Sequence, residues 1–160
     1  MPRRLVSDSA ALPGGGLSRG LRRELEADCQ RVLLSVFRNL DEFDYASLVE
    51  YFGVDGRWQR EGRELVGREQ ILAALEPRPR NQLVRHVITN LIVDLETRSS
   101  ARASGYNTAF RALDVSPADL PVPIKSPLGL WVLDAKLVCY RDVWLITELR
   151  QTKQFSFVVD

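Results

Sequence analysis

The chain has 160 residues, 45% hydrophobic and 27% charged, with 22 basic against 21 acidic side chains and a formal charge of +1. So even a balance gathers neither nucleic acid nor an acidic membrane surface, and no apolar run reaches the ~20 residues of a membrane span. The length suits a single domain with a core and a pocket, and Cys29 and Cys139 are too widely spaced to suggest a disulfide framework or a zinc site.

Residues 1–20 break their few apolar side chains with Ser, Asp, Pro and the Gly14-Gly15-Gly16 triplet. That reads as a disordered tail and not an export signal, which places the protein in the cytoplasm. No strand precedes the triplet and no Gly-Lys-Ser follows it, so it reads as a linker and not a phosphate loop. Residues 21–160 are then one folded domain.

From Leu21 to Leu40 the residues Leu21, Leu25, Cys29, Val32, Leu33, Val36, Phe37 and Leu40 recur at three- and four-residue steps, the signature of an amphipathic helix. Asp41 falls at or just past its end, where the helix dipole disfavours a carboxylate, and that invites a functional reason. Asp44 caps a second helix with Tyr45, Leu48, Val49 and Phe52 as its buried stripe, stopping at Gly53. Arg57–Arg60 and Arg63–Val66 make a hairpin around Glu61-Gly62. Gly67 begins a third helix, Arg68 to Leu75, which Pro77 ends.

The segment Arg85 to Glu96 follows, dense in Val and Ile and holding the only histidine, His86. Such a run reads as a strand buried on both sides in the middle of a sheet. Counting by two places Val87, Thr89, Leu91, Val93 and Leu95 on one face and His86, Ile88, Asn90 and Ile92 on the other. The second face, apolar walls with polar side chains between them, is how a binding cavity is lined. Ser100 to Leu113 alternates too, with Ala101, Ala103, Gly105, Asn107 and Ala109 on one side and Tyr106, Thr108 and Phe110 on the other. The four prolines within residues 114–127 make a stiff covering loop. Leu128 to Tyr140 and Val143 to Phe155 pair through Arg141-Asp142, sending Trp131, Leu133, Leu137 and Cys139 into a core. The order is three helices, an early small hairpin and then the long strands: an α+β fold in which a curved sheet wraps its helices.

In that order the stretches NLDEFDYASLVEYF, DGRW, LVGREQILAAL, VRHVITNLIVDLE, ARASGYNTAFRA and LVCYRDVWLITELRQTKQF resemble the SnoaL-like family of the nuclear-transport-factor-2-like (cystatin-like α+β) superfamily, over about residues 21–155. The resemblance implies a cone-shaped half-barrel, a curved mixed sheet around about three N-terminal helices, whose mouth takes a hydrophobic small molecule. Relatives such as scytalone dehydratase, polyketide cyclases, ketosteroid isomerase and limonene epoxide hydrolase work without metals or organic cofactors, so none is expected here. In scytalone dehydratase an Asp at the first helix end and a His at the start of the central strand are the acid/base pair. By motif these carry over to Asp41 and His86, whereas that enzyme's second pocket histidine has no counterpart.

A carboxylate on one imidazole nitrogen fixes the tautomer and leaves the other nitrogen for substrate. The implied activity is that of a lyase, isomerase or cyclase acting on a carbonyl, polyketide-like, aromatic or steroid-like compound through an enolate. Its oxygen needs donors, for which Asn90, Tyr106, Trp58, Tyr51 and Asn107 are the candidates, with Trp131 a further wall. Two other roles fit the resemblance: a carrier that binds such compounds without reacting, and a structural subunit like the small subunit of aromatic-ring-hydroxylating dioxygenases. A homodimer or homotrimer is expected, because the sheet's outer face is rich in apolar side chains.

Overall fold

The computed structural model describes residues 16–157. The expected tail lies outside the described residues as far as residue 15, but its last residues belong to the first helix. That helix, α1, runs Arg19–Asp41, and Ser18 caps it by accepting from the Leu21 N–H at 3.2 Å. Its buried stripe, Cys29, Val32, Leu33, Val36, Phe37 and Leu40, is the one the periodicity predicts. The second helix, α2, is shorter than expected, Tyr45–Val49, and Asp44 caps it through the Ser47 N–H. Phe52 opens β1 instead, a strand spanning Phe52–Arg60 whose ring is buried on the core side. Next come β2, Arg63–Val66, and α3, Gly67–Leu75.

Four long strands complete the chain, each on a segment read as a strand: β3 Gln82–Leu95, β4 Ser100–Leu113, β5 Gly129–Tyr140 and β6 Val143–Phe155. The proline-rich link between β4 and β5 contains one 3-10 turn, Pro117–Asp119. All six strands form one curved, unclosed sheet in the order β2-β1-β6-β5-β4-β3, antiparallel except for the parallel pair β1 and β6. Against its inner face α1 crosses β3, β4 and β6, while α3 lies on β1. The core between these layers includes Phe52, Trp58, Leu33, Leu48, Ile71, Leu133, Ile146 and Leu149. Each such side chain contributes about 2 kcal/mol by leaving water.

Two expectations for β3 are corrected. It is an edge strand and not a central one, with β4 as its only neighbour among the described residues, and its outer face leaves Val87 45% and Ile92 59% exposed. A dense Val/Ile run there does not mean burial on both faces. The alternation also breaks. Asn90 adopts φ 52°, and the pairing with β4 jumps from Thr89–Tyr106 to Ile92–Ser104, a bulge that flips the parity beyond it. Val84, His86 and Ile88 face inward before the bulge, and Leu91, Val93 and Leu95 face inward after it. Opposite the bulge, a Cβ on Gly105 would sit 3.1 Å from the Thr89 carbonyl oxygen, so the missing side chain is what lets the strands close up there. Gln30 of α1 donates to the Leu91 carbonyl oxygen at 3.2 Å, giving bulged backbone a partner.

Candidate functional site

The C-terminal end of α1 and the start of β3 meet at one residue pair. The His86 backbone N–H donates to Asp41 Oδ2 at 2.9 Å, and the ring Nδ1 lies 2.5 Å from Oδ1 of the same carboxylate. A carboxylate at the negative end of a helix dipole is disfavoured, and two donors from one residue offset that. Both side chains are largely out of solvent, 12% and 9% exposed, and the imidazole packs on the Phe37 ring at 5.4 Å between centroids. The ring is therefore held on three sides, by packing, by the backbone it belongs to, and by Asp41.

His86 borders a cavity of about 540 Å³, of the size that holds a small molecule. Leu40 closes it from α1. Gln82 and Val84 join His86 from β3, and Asn107, Ala109 and Arg111 form the inward row of β4. Trp131 of β5 and Gln151 of β6 continue the same wall across the sheet, with Leu113 and Leu128 at the two ends of the proline-rich link. At the rim stand Arg60 at the end of β1, Glu61 in the β1–β2 turn, and Ala74, Pro77, Arg78 and Pro79 from the end of α3 and the link to β3. The Ala and Gly row of β4 faces inward, as its alternation predicts, and Ala109 is its small residue in the cavity wall.

Asn107 is 2% exposed, and its Nδ2 donates to Gln151 Oε1 at 2.6 Å. Its Oδ1 is buried with no partner among the described residues, an acceptor left open at the cavity wall. Arg78 Nη1 donates to the Leu40 carbonyl oxygen at 2.9 Å and to the Tyr45 hydroxyl at 3.0 Å, and its guanidinium lies over the Phe43 and Tyr45 rings. Arg60 sits over the Trp58 ring with its side chain 18% exposed and 3.0 Å from Glu61. Burial pulls its pKa below the ordinary arginine value, opposed by the Glu61 carboxylate and reinforced by Arg78.

The residues expected at the site therefore divide. His86 and Asp41 come together, and Asn107 and Trp131 line the cavity. The other four do not line it. Asn90 is the exposed bulge residue, which turns away because the parity changes there. Tyr106 is 44% exposed on the outer face, opposite in parity to Asn107. Trp58 is wholly buried, stacked on Phe52 at 5.7 Å between centroids, with its indole N–H unpartnered among the described residues. Tyr51 packs half-buried against the core. Conversely, sequence reasoning passed over Arg60, Arg78, Arg111, Gln82 and Gln151. The Pro-Arg-Pro-Arg segment just before the histidine strand and the polar residue on the inward face of the last strand were the signals that could have found them. The walls are consequently of mixed polarity, whereas the resemblance implied a mouth for a hydrophobic small molecule. Among the described residues no group of three or more His, Cys, Asp and Glu gathers as a metal-binding cluster, and no helix is long and apolar enough to cross a membrane.

Comparison with known proteins agrees with this architecture. The chain is similar in structure to an NTF2-like protein with a cystatin-like fold from Novosphingobium aromaticivorans, at TM-score 0.68 and 15% identity, covering 84% of this chain and 85% of that one. It is similar to a putative scytalone dehydratase from the same organism, at TM-score 0.68 and 13% identity, covering 88% and 93%. It is also similar to a protein from Catenulispora acidiphila in complex with S-DNPA, at TM-score 0.63 and 22% identity, covering 78% and 91%. At these identities the likeness is one of fold. No curated protein matches the chain in sequence. The family description "SnoaL-like domain" matches residues 22–150, so the chain belongs to the SnoaL-like family.

Proposed function

We propose that this protein is a lyase, isomerase or cyclase that moves a proton on a small carbonyl compound held in the cavity, with His86 as acid/base and Asp41 as its positioning residue. One observation carries the reading: a single carboxylate takes both the backbone N–H and the ring Nδ1 of the histidine that borders the cavity. With the Nδ1 proton donated to Asp41, the lone pair of the ring sits on Nε2, the nitrogen left for a ligand. A proton next to a bound carbonyl then passes to Nε2, and the electron pair of the C–H bond moves onto the carbonyl oxygen as an enolate. Return of the proton to another carbon isomerises the compound, and loss of a β-hydroxyl as water dehydrates it. Asn107, a buried amide in the same cavity wall, is the candidate to steady the enolate. As placed, its N–H₂ serves Gln151, so the two amides must turn over together for Asn107 to donate into the cavity. The fold likeness to a putative scytalone dehydratase supports the reaction class without selecting a substrate.

The test needs no knowledge of the natural substrate. Solvent-deuterium exchange at the acidic CH₂ of 2-tetralone, followed by proton NMR, reads proton abstraction beside a carbonyl directly. Wild type is expected to accelerate exchange, and His86→Gln to lose roughly 10²- to 10⁴-fold. Asp41→Asn is expected to lose a comparable factor with little change in KM, because an amide N–H facing Nδ1 forces the proton onto Nε2. Exchange by His86→Gln at the wild-type rate would remove the histidine from the mechanism.

A further inference from the structure

Proton transfer on a ketone does not call for arginine, yet the cavity rim carries three guanidinium groups, Arg60, Arg78 and Arg111, against the single carboxylate of Glu61. They arrive from separate elements: the last residue of β1, the link between α3 and β3, and the inward row of β4 that also presents Asn107 and Ala109. Arg78 is already committed to the Leu40 carbonyl and the Tyr45 hydroxyl. Arg60 is not so well served. Its side chain is 18% exposed and lies on the Trp58 ring, while its ionic partner Glu61 is 66% exposed and so mostly hydrated. A cation largely withdrawn from water and facing a cavity gains more from a second anion there than a surface arginine does, because less hydration is left to give up. Arg111 stands exposed at the same rim.

We infer that the cavity takes a small ring compound bearing a carboxylate, with the acid group on Arg60 and Arg111 and the ring beside Trp131. A guanidinium offers two parallel N–H donors that match the two oxygens of a carboxylate, a fit that a ketone or hydroxyl cannot reproduce. With the acid group held at the rim, the rest of the molecule extends along the β4 row toward Asn107 and His86. This deepens the reading of the cavity as a substrate site and rests on it.

Isothermal titration of the full chain with 2-naphthoate and with 2-acetylnaphthalene, an uncharged compound of the same ring and nearly the same size, tests the inference. The acid is expected to bind wild type roughly 10- to 100-fold more tightly than the ketone. Arg60→Gln and Arg111→Gln are each expected to bring that ratio toward one while ketone affinity stays. Should Arg60→Gln fail to fold, the wild-type ratio and Arg111→Gln on the exposed rim still decide. Equal binding of the two probes, no binding of naphthoate, or a ratio unchanged in the folded variants overturns it. None of these outcomes touches 2-tetralone exchange, so loss of the acid-binding claim is distinguishable from loss of the His86 mechanism.

Discussion

Cys29, in the middle of α1, is wholly buried, and burial pushes its thiol up to about 12, with Asp28, Cys139 and Glu26 adding repulsion. The native chain keeps this proton over a range in which the unfolded chain, near 9.0, has begun to lose it. The contribution to stability is thus complete below 9.0 and is lost as pH rises toward about 12. Denaturant midpoints are expected to fall as pH climbs through that window, and Cys29→Ala to flatten the fall; an identical decline in the variant would show that the thiol is not responsible. At this scale the sequence was informative where the residue type is rare in its setting. A lone histidine opening an apolar strand and an aspartate at the wrong end of a helix dipole both stood out, and they are partners. Arginines did not stand out. In a chain with 22 Lys and Arg, nothing local separates the guanidinium over Trp58 from those that face solvent, because what distinguishes it is a neighbour made by folding.

The bulge at Asn90 shows how an element was legible in extent and illegible in facing. Strand β4 spans the residues its alternation marks, and the final hairpin differs from expectation by one residue at its start. Period-two counting, however, carries no warning of an inserted residue, so one positive φ reversed every side chain after it and placed Asn90 on the wrong side. The left-handed conformation tolerates Asn or Gly and penalises a β-branched residue. Asn90→Gly is therefore expected to leave stability within about 0.5 kcal/mol of wild type, and Asn90→Val to cost about 1 to 2 kcal/mol, read as urea midpoints. Neither substitution should alter 2-tetralone exchange, since the side chain does not line the cavity. A loss of exchange in Asn90→Gly without loss of stability would return the residue to the site. The edge position of β3 was hidden for a related reason: which strand lies outermost depends on the parallel return of β6 beside β1, a long-range pairing with no local mark.

Taken as a whole, the molecule is a curved sheet that closes on α1 along most of its length and stays open where α1 ends, and the cavity occupies that opening. Helix and sheet are pinned together twice, by Gln30 on Leu91 and by Asp41 on His86, so the residue that positions the imidazole also fixes how the helix end sits on the sheet. The α+β half-barrel followed from ordered motifs spread over the chain. The polarity of its mouth did not, because the rim is assembled from a turn, a helix end and a strand that meet only in space. Because His86 is the only histidine, the side-chain nitrogens of the ¹⁵N-histidine-labelled protein give an assignment free of ambiguity. Their spectrum, recorded with the ring in its neutral form, is the most direct measure of the proposed dyad. The account predicts a protonated Nδ1, an unprotonated Nε2, and an Nε2 resonance that moves when 2-naphthoate or 2-tetralone is added. A dominant Nε2–H tautomer in the wild type, or a ring indifferent to both compounds, would contradict it.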